Sequence, residues 1–448
     1  MTRRLPVAAA VAVALALAAA PADGATRGQL RAGAGQADIT PPKTGYYLGG
    51  WTRADRRALG VSTRLNANTL VLQRGTRKLA LVAVDLAFVF AGLQEDVARE
   101  VADLGFDRTS VLLAASHTHS APGGFANAPQ YNSAAPSPAT ITDPSSYVNF
   151  FLTPPPPDRQ LYTFLVKQIA ASIRRANADR TLATAAWGRS TLPDLTQNRS
   201  LFAFLRNYGV VVAPERAHTT MDPKGPLDTI DPNVWVLRVD KLVRHGRKTR
   251  RVPIGAYSNF ANHGTVVHAE TQLFSGDHHA AAARVFADRV RKAAKVPRNQ
   301  TVVNVFPNGN EGDLTAGIEH VGIDAARHVG TREANAMFAA WRAAGRRLSR
   351  TPALDWRWTR ACFCGRDTAD GKVDSVGHVG MGFLTGSEEG RGPLYDVTGV
   401  SFEGLASPVE DAVQGNKLFA PGVGEGAPAA VPLGVYRIGD GVIRASRR

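Results

Sequence analysis

Apolar residues in this chain fall in short runs, and their spacing alternates between a strand-like and a helix-like period. Residues 69–73 and 79–85 are apolar runs of strand length, split by a Gly75-Thr76 turn. Over 91–104 the spacing changes, and Leu93, Val97, Val101 and Leu104 recur on one helical face. Residues 111–115 form another short apolar strand, which runs straight into Ser116-His117-Thr118-His119-Ser120. A stretch rich in Pro, Ser, Asn and Ala follows over 121–158, long enough to predict a functional or mobile loop. Further on, the pattern predicts helices over 161–176, 277–294 and 332–346. It predicts strands over 184–189, 234–240, 253–260 and 301–306.

This alternation predicts an α/β fold: a single layered domain with a mixed β-sheet and flanking helices. The most polar motifs stand just after short apolar strands. In such folds ligands bind where strand-end loops converge on a rigid scaffold, so the active site is expected there. No internal repeat or linker divides the chain.

The first residues change the picture of its extent. Arg3 and Arg4 precede an almost unbroken apolar run over 5–20, and small residues follow at Ala20, Ala22 and Gly24. That is the three-part pattern of a secretory signal peptide over 1–24, leaving a mature domain over 25–448 that acts in a secreted or periplasmic setting. The formal net charge is +15. Cleavage after residue 24 removes Arg3, Arg4 and Asp23 and leaves +14. Such a charge favours anionic surfaces. The basic residues are scattered and not interleaved with aromatics, so nucleic acid is not expected as a partner, nor is an obligate protein partner. The two cysteines, Cys362 and Cys364, are separated by one residue. A bridge between them is strained, which leaves free thiols or half of a metal site as the alternatives.

Four clusters carry candidate chemistry. In residues 116–120, His117 and His119 point to the same face of an extended segment, and imidazole is the commonest zinc ligand. Residues 262–265 place His263 after an apolar strand, beside Gly264, with His268 nearby. His278 and His279 open a helix and are expected to be solvated. Residues 308–315 form a polar strand-end loop in which Thr315 presents a hydroxyl and Asp313 could orient a histidine or hold the loop. Arg199, in Asn198-Arg199-Ser200, has a planar fork suited to a carbonyl or an anion. Taken singly, each cluster also reads as an ordinary hydrogen-bonded loop.

Taken in order, the motifs resemble the neutral, non-lysosomal ceramidase family. They are residues 35–40 (GQADIT), 116–125 (SHTHSAPGGF), 198–200 (NRS), 228–240 (DTIDPNVWVLRVD), 259–265 (NFANHGT), 275–277 (SGD), 310–315 (NEGDLT) and 380–393 (GMGFLTGSEEGRGP). The resemblance implies an α/β catalytic domain with one Zn2+ that cleaves the amide of N-acylsphingosine to a fatty acid and a sphingoid base. It implies that His117 and His263 are zinc ligands. His119 would stand beside the metal and move a proton, Arg199 would bind substrate, and Thr315 would fall where the family has an active-site serine. A ceramide-like lipid is then the substrate, met at an anionic membrane surface.

Two departures qualify that expectation. Threonine at 315 keeps the hydroxyl but adds a methyl and stiffens the side chain, which suggests a narrower pocket or another substrate. The family also supplies a glutamate and a tyrosine to the metal after the strand that 431–439 (VPLGVYRIG) resembles, and neither is identifiable before Arg448. Two histidines fall short of the usual three protein ligands of a catalytic zinc, so an acidic substitute such as Asp38 or Asp313 is a candidate. The alternatives are a related amidase or esterase acting on another lipid, and a catalytically degenerate protein that binds lipid or cell-wall polymer.

Overall fold

The computed structural model describes residues 28–127, 129–134, 155–201, 229–363, 365–368, 371–372, 386–387, 389–391 and 430–446. The expected signal peptide over 1–24, residues 128 and 135–154 of the loop predicted over 121–158, and Cys364 lie outside them.

Eight strands form one mixed sheet: β1 (Leu30–Asp38), β2 (Asn66–Arg74), β3 (Arg77–Val84), β4 (Val111–Ala115), β5 (Thr181–Thr191), β6 (Asn233–His245), β7 (Lys248–Asn259) and β8 (Val303–Val305). Their order is β8-β7-β6-β5-β1-β2-β3-β4. The outermost pairs, β3–β4 and β7–β8, are parallel, and the inner pairs are antiparallel. Among the described residues four α-helices accompany the sheet: α1 (Ala91–Glu100), α2 (Arg159–Ala178), α3 (Asp277–Ala294) and α4 (Ile323–Ala344).

Strand alternation sorts the apolar residues between two faces. On β3, Ala80, Val82 and Val84 pack with Leu93 and Val97 of α1 and Leu165 and Ile169 of α2. The alternate residues Leu79, Leu81 and Ala83 face a second cluster that includes Ala183, Leu237, Ile254 and Val303 from the other half of the sheet. Phe286 of α3 and Met337 and Trp341 of α4 join Val234, Val236 and Ala256 on the outer face of that half. The sheet therefore folds over on itself, giving helix, sheet, sheet and helix layers. A smaller sheet of β9 (Leu354–Cys362), β10 (Ala430–Ile438) and β11 (Gly441–Ser446) closes the inner cluster with Leu354, Tyr436 and Ile438. Trp187 Nε1 donates to the Ile438 carbonyl at 2.7 Å and ties the two sheets together.

The α/β expectation is met, with local differences. The helix expected over 91–104 ends at Glu100 and continues as a 3-10 turn, Ala102–Leu104, stopped by Gly105 in the left-handed region at φ 77°. Helix α2 begins two residues before its predicted start, because the Asp158 carboxylate accepts from Leu161 N at 2.9 Å; such a cap contributes about 1 kcal/mol. Helix α4 starts nine residues before 332, since its first turns bury only Ala326, Val329 and Gly330. Cys362 is disulfide-bonded, which sets aside the reading of two free thiols. Among the described residues, no helix is long and apolar enough to cross a membrane.

Candidate active site

Folding the sheet brings its opposite edges together, and the polar motifs meet there. Asn308 N, just past β8, donates to the Ala115 carbonyl at the end of β4, at 3.1 Å. Asn308 Nδ2 donates to the Asn262 carbonyl at 2.7 Å and to the Ser116 carbonyl at 3.2 Å. One asparagine thus stitches the loops after β4, β7 and β8 into a single floor. Thr118 bridges Gly264 in parallel register, and His263 bridges Thr315 in the same way.

Three imidazoles converge above this floor. His117 Nε2 lies 3.0 Å from His263 Nε2, His263 Nε2 lies 3.1 Å from His119 Nε2, and His119 Nε2 lies 3.3 Å from His117 Nε2. The tautomers follow from what stands behind the rings. His117 Nδ1 contacts the Ala87 carbonyl at 2.6 Å, and His263 Nδ1 contacts the Glu311 carbonyl at 3.0 Å. A carbonyl only accepts, so each Nδ1 carries the proton and each Nε2 turns a lone pair inward. The edge of Trp51 stands against His119, with ring centroids 4.8 Å apart, and Phe88 stands against His117 at 5.5 Å. His117 sits at φ 63°, an uncommon conformation for a non-glycine residue, which aims its ring back at the cluster.

Close backbone approach is what allows this convergence. A Cβ at Gly264 would meet the His117 carbonyl oxygen at 2.4 Å and Thr118 Cα at 2.8 Å. Burial chiefly, and then electrostatic repulsion from neighbouring His117 and Arg199, holds His119 well below the usual imidazole range. Burial followed by Arg199, His117 and His119 does the same to His263. Both rings therefore stay neutral, which is the ligand form. The inward lone pairs of His117 and His263 repel one another, and a cation between them relieves that repulsion. A tetrahedral ion with metal–nitrogen bonds of about 2.0–2.1 Å sets its nitrogens about 3.3–3.4 Å apart. The observed triangle matches that spacing within a few tenths of an ångström, and the three histidines fit a metal ion.

Arg199 and Thr315 also reach this region. Arg199 Nη2 approaches His263 Nε2 at 3.4 Å, and Nη1 donates to Glu389 Oε1 at 2.7 Å. The Arg199 side chain is 14% exposed and that of Glu389 is 0% exposed. Thr315 is buried. Its Oγ1 accepts from Gly317 N at 2.8 Å and pairs with Thr265 Oγ1 at 3.0 Å. Thr265 Oγ1 in turn donates toward Glu389 Oε1 at 3.4 Å. Glu311 places Oε1 3.9 Å from His117 Nε2.

Other candidates are drawn elsewhere. Asp38 is ion-paired with Arg64 at 3.1 Å, and Asp313 accepts from Asn198 Nδ2 at 2.9 Å, so neither is the acid beside the imidazoles. His268 Nε2 contacts the Gly317 carbonyl at 2.9 Å. His278 and His279, expected to be solvated, are buried. They open α3 on its inward side, where His278 Nδ1 meets Glu333 Oε2 at 3.0 Å and Nε2 meets the His263 carbonyl at 2.9 Å. Glu311, Glu333 and Glu389 were not singled out from the sequence. Only Glu333 leaves a clear signal there, as a charged residue in the i, i+4 stripe Val329, Glu333, Met337, Trp341.

A family model described as neutral/alkaline non-lysosomal ceramidase, N-terminal, matches residues 30–327. The neutral ceramidase of Mycobacterium tuberculosis is 27% identical over 299 residues, covering 65% of this chain and 41% of that protein. The neutral ceramidase of Pseudomonas aeruginosa is 28% identical over 290 residues, covering 64% of this chain and 37% of that protein. The chain thus spans well under half the length of these curated relatives. A crystal structure of the Pseudomonas aeruginosa neutral ceramidase superposes with a TM-score of 0.66 at 23% identity, covering 93% of this chain and 62% of that one. A structure of a ceramidase complexed with C2 gives 0.67, also at 23% identity, covering 93% and 63%. These two likenesses are of fold.

Proposed function

Since this chain belongs to the neutral/alkaline non-lysosomal ceramidase family, we propose that it is a zinc-dependent amide hydrolase that cleaves N-acylsphingosine to a fatty acid and a sphingoid base. The observation that carries this reading is the convergence of His117, His119 and His263 Nε2 within 3.3 Å of one another. These three residues would hold the ion, giving the three protein ligands usual for a catalytic zinc with one position open. When bound, the ion supplies Lewis acidity, polarising a carbonyl and drawing the pKa of water toward neutrality. The resemblance put His119 beside the metal. Its Nε2 stands level with the other two in the triangle, and its Nδ1 is buried without a hydrogen-bond partner among the described residues. We therefore count it with the ligands.

Arg199 directs its guanidinium to the edge of this cluster. There it would meet the developing oxyanion of the substrate carbonyl or a substrate hydroxyl. Thr315 supports the floor through its hydrogen bonds to Gly317 and Thr265. The signal-like N-terminus and the basic surface suit an exported enzyme that meets its substrate at anionic lipid.

The test is to load purified protein with Zn2+, supply N-acylsphingosine in mixed micelles, and measure both fatty-acid release and bound metal. We expect about one zinc per chain and turnover, both lost in His117→Ala. Zinc-loaded protein that releases no fatty acid from any N-acyl lipid would overturn the activity. Protein that takes up no zinc would overturn the metal centre.

A further inference from the structure

Asn308 follows β8 and uses both ends of its side-chain amide. At one end Oδ1 accepts from Gly309 N at 2.9 Å and from Asn262 N at 3.2 Å. At the other, Nδ2 gives one hydrogen to the Asn262 carbonyl at 2.7 Å and one to the Ser116 carbonyl at 3.2 Å. Two main-chain N–H groups face the oxygen and two carbonyls face the nitrogen, so its partners fix which way the amide points. Ser116 directly precedes His117, and Asn262 directly precedes His263. A single NH2 group therefore joins the peptide planes that carry the main-chain nitrogens of two imidazole residues 146 apart in the chain.

A peptide is planar, so holding the carbonyl of one residue also holds the nitrogen of the next and the axis about which its φ turns. For His117 this matters most. It sits at φ 63°, a conformation that a non-glycine residue keeps where its surroundings impose it. Each histidine's own amide bonds to a different element: His117 N donates to the Leu86 carbonyl at 3.1 Å, and His263 N to the Leu314 carbonyl at 2.8 Å. Asn308 ties the two segments together before the histidines, and the Thr118–Gly264 bridge ties them after. The bond from Asn308 N to the Ala115 carbonyl, at 3.1 Å, anchors this amide on the end of β4.

Resting on the metal-centre reading above, we propose that Asn308 is a positioning residue of that centre, whose side-chain amide sets the separation of His117 Nε2 and His263 Nε2, 3.0 Å in this structure. It acts through the two imidazoles. Ligands already held at the required separation lose little freedom when the ion arrives, so the tie should register in metal affinity more than in the stability of the metal-free protein.

The experiment uses the full chain and compares wild type, Asn308→Ala, Asn308→Asp and, as a control, Ser258→Ala. It reads Zn2+ affinity by chelator competition, the visible absorption spectrum of the Co2+-loaded protein, and the Tm of the metal-free protein. Asn308→Ala removes both ends of the tie without adding a charge. Asn308→Asp keeps an acceptor for Asn262 N and Gly309 N but has no NH2 to give the carbonyls; it is the milder change, and it decides the matter if the alanine variant does not melt cooperatively. Ser258 Oγ donates to Asn304 Oδ1 at 2.7 Å, a buried bond that also joins β7 to β8 but involves neither residue beside a histidine of the cluster. We expect both Asn308 variants to lose about 10–100-fold in zinc affinity and to shift the Co2+ spectrum. Ser258→Ala should lower the metal-free Tm and leave affinity and spectrum as in wild type. Asn308 variants that bind zinc within about threefold of wild type and keep its Co2+ spectrum overturn the proposal. So does a Ser258→Ala protein that loses as much zinc affinity as they do, since the effect would then be a general loosening of the sheet. Wild-type protein that binds neither ion would instead refute the underlying metal-centre reading.

Discussion

His278 Nε2 donates to the main-chain carbonyl of His263 at 2.9 Å, so a buried cation on α3 braces the backbone of His263 from behind. The other ring nitrogen meets Glu333 Oε2 at 3.0 Å, and Glu333 Oε1 accepts from Asn262 Nδ2 at 2.8 Å. Burial alone would depress this imidazole, but the charge and hydrogen bond of Glu333, then Asp277 and the His263 carbonyl, carry it up to about 9.

A pH dependence of stability follows. The folded-state pKa lies above the ordinary value of about 6.5. The contribution is therefore fully present below pH 6.5 and is lost as pH rises through about 9. It amounts to roughly 3 kcal/mol. Glu333→Gln removes the anion and leaves the imidazole buried, which should cost about 3–5 kcal/mol at pH 6. Thermal melts from pH 6 to 10 check this. The wild-type Tm should fall across the window while the variant starts lower and stays flatter. Parallel curves for the two proteins would contradict it.

The contrast between His278 and His117 shows what could be read from the sequence. His117 and His263 stand directly after apolar strands, and strand-end placement is a local pattern visible in one segment at a time. Their meeting depends on the fold-over that joins β4 to β8, and no short-range period encodes that. His278 reads as solvated because it opens a helix; the partner that lets it be buried is Glu333, fifty-five residues away. Glu311 lies among glycines that read as a backbone turn, and Glu389 lies in a glycine-rich loop with no apolar period of its own. Both become conspicuous once distances to His117 and Arg199 are known.

Gly264 should tolerate no side chain. The two nearest atoms to an added Cβ belong to the His117 backbone, at 2.4 and 2.8 Å, so neither can rotate away. Gly264→Ala must push the loop carrying His117 and His119 away from the one carrying His263. Overpacking of this kind costs about 1–3 kcal/mol. The larger effect should be on the metal, because the triangle opens. Dialysis against Zn2+ followed by elemental analysis should give markedly less than wild-type uptake from a variant that still melts cooperatively.

A metal held by the native imidazoles and not by the unfolded chain should raise stability by mass action. At free zinc a hundredfold above its dissociation constant the gain is about 2.7 kcal/mol. The wild-type Tm should therefore rise with zinc and drop on addition of EDTA. His263→Ala should respond to neither, since it removes one corner of the triangle. A melting temperature indifferent to zinc in the wild type would count against a preformed site.

The Arg199–Glu389 pair separates positioning from charge. Arg199 also donates from Nε and Nη2 to the Gly312 carbonyl, at 3.1 and 3.0 Å, so its guanidinium is held from two sides. Removing Glu389 leaves those contacts but strips the anion from a largely buried cation, and the opposite edge of the fork becomes loose. Glu389→Ala should destabilise the fold by about 3–5 kcal/mol. It should also lower kcat/KM, because Arg199 would no longer be fixed beside His263. Glu389→Gln keeps an acceptor for Arg199 Nη1 without the charge, so it should recover more of kcat/KM than of stability. Urea denaturation and steady-state kinetics on the two variants test that split. If the glutamine variant were as inactive as the alanine one, the charge of Glu389 would matter in its own right and Arg199 would need a counter-ion as well as an anchor.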